Sequence, residues 1–151
     1  MDDPLYIVFY GTLMVDSPQF KEMNLDHYLV FTCDCEIAGK IYDTQEEGEH
    51  YPGLVPGSGT VKGQLFEIRD PSFLTESDKW EEFNASEPSK SLYLRKAMHL
   101  KKPDVDAWIY VYNKDVSGCP EIKSGDWNAY LQKIIPFPAT EKKPSAPKFG
   151  T

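Results

Sequence analysis

The sequence predicts an α+β fold, in which short helices flank a small mixed sheet of five or six strands that curls like a barrel. Five or six segments have strand-like sequences, whereas two or three have helical signals. The helical segments do not alternate regularly with the strands, which argues against a parallel α/β sheet. With 151 residues, the chain has room for one domain with a single core.

Five segments predict strands. Residues 5–9 form a continuous run of apolar, β-branched and aromatic side chains, which is typical of a buried central strand. The other strand-like segments are residues 28–42, 60–68, 92–100 and 105–112. Gly39 predicts a bulge or bend within the second strand. Residues 43–50 are polar and predict a loop, and residues 51–59 are so rich in proline and glycine that we expect no regular element there.

Three segments predict helices. Ser17 and Pro18 indicate a helix start, and this helix should cover residues 19–23. Asp70 as N-cap and Pro71 at the first helical position predict a second helix, which should end near residue 83 or 84. A last short helix should follow Asp126.

The charge and composition exclude several functional classes. The chain has 16 Lys and Arg against 24 Asp and Glu, for a net charge of −8, so we expect no nucleic-acid partner. No apolar run is long enough to span a membrane, and residues 1–4 do not resemble a signal peptide, so we expect a cytoplasmic protein without a membrane partner. Residues 1–135 form the predicted domain, and residues 136–151 a flexible tail rich in proline and lysine.

The cysteines predict neither a disulfide framework nor a metal site. Cys33 and Cys35 should point to one face of a strand, and Cys119 is distant in sequence. Reduced cysteines in a reducing compartment fit this pattern. The histidines are scattered and do not pair with the cysteines in a zinc-binding spacing. We therefore expect no metal.

Glu81 is the first candidate for chemistry. On a helical wheel it lies within about 20° of Leu74, at the border of an apolar side made by Phe73, Leu74, Ser77, Trp80 and Phe83. Burial against aromatic rings raises the pKa of a carboxyl group, which suits a general acid or base. The alternative is a boundary glutamate that reaches solvent or pairs with Lys79 or Arg95. Glu82 should face solvent.

The turn after the first predicted strand is the second candidate. Gly11, at the point where the chain leaves the core, permits close approach of a ligand to the backbone. Successive N–H groups there could bind an anion or a polarised carbonyl, although the spacing alone favours an ordinary tight turn. Arg95 could bind a substrate carboxylate, but a structural ion pair is the commoner use. Trp108, Tyr110 and Tyr112 share one strand face as core or pocket wall.

Taken in order, several segments resemble the gamma-glutamylcyclotransferase-like family, which includes gamma-glutamylamine cyclotransferase, small bacterial homologues and plant avirulence-induced proteins. The likeness spans about residues 5–132. It is carried by the segments Tyr10-Gly11-Thr12-Leu13-Met14, Tyr51-Pro52-Gly53-Leu54-Val55-Pro56-Gly57, residues 61–68, Asp78-Lys79-Trp80-Glu81 with Tyr93-Leu94-Arg95, residues 107–112, and Ser124-Gly125-Asp126-Trp127.

The resemblance implies a barrel-like sheet with a cavity lined by the first turn. It implies that backbone groups of Tyr10, Gly11, Thr12 and Leu13 hold a gamma-glutamyl group, and that Glu81, the last residue of an Asp-x-x-Glu pattern, is the catalytic glutamate. The other substrate-binding residues it implies are Tyr51, Pro52, Tyr93 and Tyr112. The chain departs from the family at Glu82, where many members have glycine, at Ser77, and in a longer segment at 84–91.

The function implied is a cofactor-free cyclotransferase, of acyltransferase or lyase type, that converts a gamma-glutamyl amine or peptide to 5-oxoproline and a free amine. Its partner is a small gamma-glutamyl substrate, and the protein is expected to be a monomer or homodimer. An alternative is a non-catalytic protein that binds a small metabolite in the same cavity. A third is an interaction domain with a vestigial pocket.

Overall fold

The computed structural model describes residues 3–11, 13–45 and 48–134. Thr12 and the predicted tail at 136–151 lie outside them. Within these ranges the strands are β1 (Tyr6–Phe9), β2 (Leu29–Asp43), β3 (Pro52–Ile68), β4 (Tyr93–His99), β5 (Asp106–Tyr112) and β6 (Glu121–Ile122). The α-helices are α1 (Pro18–Glu22), α2 (Phe73–Trp80) and α3 (Trp127–Ile134). No helix in these ranges is both long enough and apolar enough to cross a membrane.

The strands form one mixed sheet in the order β4-β5-β1-β3-β2-β6. β1 pairs in parallel with β5, and the other neighbouring strands are antiparallel. The predicted α+β class with a mixed six-stranded sheet is therefore confirmed, whereas closure of the sheet into a barrel remains a prediction. β6 was not predicted, because two residues are too few to show a periodic pattern.

β1 lies at the centre of the sheet and is buried on both faces. Ile7 and Phe9 pack in one core cluster, together with Phe73 of α2. Val8 packs in a second cluster on the opposite face, which Trp127 of α3 covers. Two buried faces explain why this strand is continuously apolar rather than alternating.

The expectation that residues 51–59 form no regular element is wrong. β3 begins at Pro52 and forms a long antiparallel hairpin with β2, in which Tyr42 pairs with Gly53. The ladder shifts register between Ala38 and Gly39, which confirms the predicted bulge, and residues 57–59 are the extra residues on the β3 side. A proline tolerates the first position of a strand or a site beside a bulge, so the partner strand overrides the local turn preference.

α2 is shorter than predicted at both ends. Asp70 does not cap it; Asp70 Oδ1 instead accepts a hydrogen bond from the Ser72 N–H at 3.0 Å, and Ser72 is the N-cap. The helix ends at Trp80 because Glu82 adopts a left-handed conformation with φ of 55°. The Phe83 N–H bonds to the Asp78 carbonyl and the Glu82 N–H to the Lys79 carbonyl, as in a Schellman motif.

Glycine at position 82 is expected to stabilise the protein. A left-handed conformation costs a residue with a Cβ atom free energy that glycine avoids. We expect Glu82→Gly to raise the free energy of unfolding by about 1 kcal/mol, measured by urea denaturation. As a control, Lys79→Gly in the last turn of the same helix should lower it by a similar amount. A loss of stability in Glu82→Gly would contradict this account of the helix end.

The hydrogen bonds of His99 in the β4–β5 hairpin predict that the stability of the protein depends on pH. The His99 ring donates from Nδ1 to Asp106 Oδ1 at 2.8 Å and also pairs with Asp104, and these bonds raise the pKa of His99 above its usual value of 6.5. Since the folded pKa is the higher one, the stabilisation is fully present below the unfolded pKa and is lost as the pH rises through the folded value. As the pH rises from 6.5 through the higher folded pKa, wild type should lose more thermal stability than His99→Gln. If calorimetry shows that wild type and His99→Gln lose the same thermal stability as the pH rises, the role assigned to His99 is wrong.

Candidate functional site

Glu81 is fully buried at the end of α2. Its side chain and backbone together have 0% exposure, and its N–H donates to the Ser77 carbonyl at 3.0 Å, so the last helical turn fixes its backbone. Glu81 is therefore more deeply buried than the helical wheel predicted when it placed this residue at the border of the apolar side. The cations named in the alternative have other partners, since Lys79 lies 3.7 Å from Glu76 and Arg95 binds Asp78. Glu82 faces solvent, as predicted.

The carboxylate of Glu81 lies near two buried tyrosines. The Tyr10 hydroxyl donates to the Tyr110 carbonyl at 2.7 Å, and both residues are 0% exposed. Burial and then the charge of Glu81 raise the pKa of Tyr10 well above its usual value, although the Leu54 backbone opposes the shift. Burial and the charges of Asp78 and Glu81 likewise raise the pKa of Tyr110. The charge of Glu81 thus acts on the residue that begins the turn after β1.

A buried polar network connects α2 to the sheet next to Glu81. The Tyr110 hydroxyl bonds to Ser77 Oγ at 2.5 Å and donates to Asp78 Oδ1 at 2.6 Å. Arg95 donates two hydrogen bonds to Asp78, at 2.7 and 3.1 Å, and its guanidinium lies 4.3 Å from the Trp108 ring centroid. Of the two uses predicted for Arg95, the structure therefore has the ion pair.

The turn after β1 is held at both ends by side-chain amides. Asn128 Nδ2 donates to the Gly11 carbonyl at 3.0 Å, and Gln64 Oε1 accepts from the Val15 N–H at 2.9 Å. Leu13 is buried, with 2% exposure. Neither Asn128 nor Gln64 is predicted from the sequence as a residue of the site, because neither belongs to a motif with a recognisable spacing to the turn.

The other substrate-binding residues implied by the resemblance form a second group. The Tyr93 hydroxyl donates to the Pro52 carbonyl at 2.8 Å, and the Tyr93 and Tyr112 rings lie 5.5 Å apart in an edge-on arrangement. Tyr51 is half-buried, and its hydroxyl donates to Glu49 at 3.1 Å. The Leu92 N–H donates to the Glu82 carbonyl at 3.1 Å, which ties the start of β4, and with it Tyr93, to the end of α2.

A cavity of about 780 Å³ lies between α3, the turn and strands β2 and β3. Tyr10 and Met14 line it from the side of the turn, and Gln64 and Asn128 are among its polar walls. Glu81 is not among its lining residues. Tyr10 therefore lines the cavity and is also one of the tyrosines whose pKa the charge of Glu81 raises.

The described residues contain no cluster of three or more histidine, cysteine or acidic side chains that could hold a metal ion. Cys33, Cys35 and Cys119 form no disulfide bond among the described residues. Cys35 is buried, and burial raises its pKa to about 12, so it remains a thiol at neutral pH.

Comparison of the sequence with known proteins finds relatives over most of the domain. The Escherichia coli K12 gamma-glutamylcyclotransferase family protein YtfP is 41% identical over 78 residues, which cover 52% of this chain and 61% of YtfP, less than two thirds of its length. The Niallia circulans gamma-L-glutamyl-butirosin B gamma-glutamyl cyclotransferase is 28% identical over 123 residues, 80% of this chain and 74% of that protein.

Solved structures show the same fold. The solution structure of Escherichia coli ytfP has a TM-score of 0.57 and 30% identity, and the match covers 81% of this chain and 95% of that one. The crystal structure of an AIG2-like protein from Mus musculus has a TM-score of 0.63 at 20% identity, with 94% and 100% coverage, and supports the fold alone. The model of the family described as gamma-glutamyl cyclotransferase, AIG2-like, matches residues 7–129. This chain belongs to that family.

Proposed function

We propose that this protein is a gamma-glutamyl cyclotransferase that converts a gamma-glutamyl amine or peptide into 5-oxoproline and the free amine. The observation that carries the proposal is the complete burial of Glu81 at the end of α2, a helix that hydrogen bonds connect through Tyr110 to Tyr10, the first residue of the turn that would hold the gamma-glutamyl group. A buried carboxylate next to a substrate-binding turn is suited to proton transfer.

In the proposed reaction, the α-amine of the substrate attacks its own γ-carbonyl carbon. Glu81 accepts a proton from the amine as the new C–N bond closes the five-membered lactam. It then delivers that proton to the leaving nitrogen as the original amide C–N bond breaks. Nucleophile and electrophile belong to one molecule, so the protein mainly selects the folded substrate conformer. No cofactor takes part in these steps.

Backbone N–H groups of the Tyr10–Leu13 turn would bind the negatively charged oxygen of the tetrahedral intermediate. A donor aimed at such an oxygen contributes about 3 kcal/mol to transition-state stabilisation. Pro52, Tyr93 and Tyr112 would form a wall of the substrate site, with Tyr51 at its edge. Tyr10 and Tyr110, whose pKa values are raised, would stay neutral and add no negative charge beside Glu81.

The comparisons support the class of reaction, because the relative from Niallia circulans is named for the cyclotransferase reaction on gamma-L-glutamyl-butirosin B. The family model, which matches residues 7–129, includes both the turn and Glu81. The amine that leaves from the substrate of this chain is not specified by that name, so the proposal extends to gamma-glutamyl amines and peptides in general.

The purified protein should be incubated with gamma-glutamyl-ε-lysine, glutathione and gamma-glutamyl-alanine, with mass-spectrometric detection of products. We expect 5-oxoproline and free amine in equal amounts from at least one substrate. If every substrate stays intact while one co-purifies or binds, the protein is a metabolite-binding protein instead. If nothing binds or reacts, the assignment of this site is wrong.

A further inference from the structure

We infer that Asn128 and Gln64 are positioning residues that hold the turn after β1 in the shape needed for catalysis. This inference rests on the proposed function. The two side-chain amides, which we call the amide clamp, bind the backbone at Gly11 and Val15, so the segment between them is fixed at both ends. Neither residue is expected to contact the reacting atoms.

Asn128 reaches the turn from a helix that is itself firmly anchored. Trp127 is buried in the core with 1% exposure, and the Tyr130 hydroxyl donates to the buried Asp43 at 2.7 Å. Asp126 caps the helix, because its Oδ1 accepts a hydrogen bond from the Ala129 N–H at 3.1 Å. Asn128 therefore lies on a helix that is fixed at its first residue, Trp127, and one turn later at Tyr130.

Gln64 reaches the other end of the turn from the centre of the sheet. It pairs with Phe9, the last residue of β1, in the β1–β3 ladder. Its side-chain oxygen accepts a hydrogen bond from the Val15 N–H, which lies beyond the end of β1. A side chain of this length that also accepts a hydrogen bond is needed, and glutamate is the closest substitute.

The clamp should affect turnover more than substrate binding. Backbone donors stabilise an oxyanion only when they are already aimed at the place where the charge develops, and a mobile turn loses this advantage. The oxyanion exists in the transition state and not in the bound substrate. Loss of the clamp should therefore lower kcat while KM changes little.

The clamp can be removed without opening a hole in the core. Both Asn128 and Gln64 are partly exposed and line the cavity of about 780 Å³. Shortening either side chain therefore enlarges an existing cavity and creates no new one in the packed core. We expect no large loss of stability. Gln132 lies one helical turn after Asn128, is exposed and lines the same cavity, which makes it a matched control.

Steady-state kinetics of Asn128→Ala, Gln64→Met, Gln64→Glu and Gln132→Ala, on whichever gamma-glutamyl substrate wild type turns over, test the clamp. We expect Asn128→Ala and Gln64→Met each to lower kcat by about 10- to 100-fold, with KM within about twofold. Gln64→Glu retains an acceptor for the Val15 N–H and should recover most of the rate. Gln132→Ala should behave as wild type. Unchanged kcat in the first two variants, or an equal loss in Gln132→Ala, would overturn the inference.

Hydrogen exchange at the Val15 amide, followed by NMR, gives a readout that needs no activity. We expect exchange at least about tenfold faster in Gln64→Met than in wild type, and near-wild-type exchange in Gln64→Glu. If wild type converts no substrate, the proposed function fails while this measurement still decides whether the clamp exists. Equal protection of Val15 in wild type and Gln64→Met would show that it does not.

Discussion

Replacement of Glu81 by glutamine is expected to lower the rate of 5-oxoproline release by about 10²- to 10⁴-fold. Glutamine has nearly the same shape as glutamate but cannot accept the proton of the attacking amine at neutral pH. Since Glu81 is fully buried at the end of α2, a substitution of equal size is also the least disruptive one available. The measurement is kcat from 5-oxoproline formation, alongside the thermal unfolding temperature of the same preparation.

The neighbouring residue provides the control for this experiment. Glu82 carries the same functional group on the solvent-exposed side, so Glu82→Gln should retain nearly full turnover. If Glu81→Gln releases 5-oxoproline at a near-normal rate, Glu81 is not the acid–base group and the mechanism is wrong. A variant that binds the substrate but does not convert it would instead support the assigned role.

Removal of the Asp78 side chain is expected to cause the largest loss of stability among the polar substitutions considered. Asp78→Ala deletes the partner of Arg95 and of the Tyr110 hydroxyl, and the side chains of the ion pair are each 17% exposed. A largely buried cation left without its partner costs about 3 kcal/mol. Urea denaturation of Asp78→Ala should show this decrease in the free energy of unfolding.

A double variant separates the lost ion pair from general damage to α2. Asp78→Ala combined with Arg95→Met removes both charges and keeps an apolar chain of similar length against Trp108. Because an unpaired buried charge causes most of the penalty, the double variant should recover at least half of the lost stability. If it is as unstable as Asp78→Ala alone, the network contributes through packing and not through its charges.

Part of the candidate site was predictable from local sequence patterns. The helical wheel identified Glu81 as the carboxylate at the apolar side of its helix, and the structure buries it completely. The same wheel identified Glu82 as exposed. It did not predict that the helix ends at Trp80, because a left-handed glutamate at position 82 is unusual and the local sequence lacks the glycine that marks such an end.

Contacts between distant parts of the chain were beyond sequence reasoning. Arg95 is 17 residues from Asp78, Tyr110 is 32 from Asp78, and Asn128 is 117 from Gly11. Each of these side chains could also serve a structural role within its own helix or strand. Hydrophobic periodicity therefore does not predict which distant residue it contacts. The misjudged start of β3 has the same origin, since a long antiparallel partner strand overrides the turn preference of a segment rich in proline and glycine.

The amino-acid order by itself determined the fold class, the central position of β1 and the side of α2 on which Glu81 lies. These properties follow from hydrophobic periodicity, which depends on near neighbours and on the need to bury apolar area. Only the tertiary structure decided that the charge of Glu81 acts on Tyr10, that Asp78 joins Arg95 to Tyr110, and that two amides bind the backbone at Gly11 and Val15. Such juxtapositions depend on how whole elements pack, and no local pattern encodes the distance between residues that are far apart in sequence.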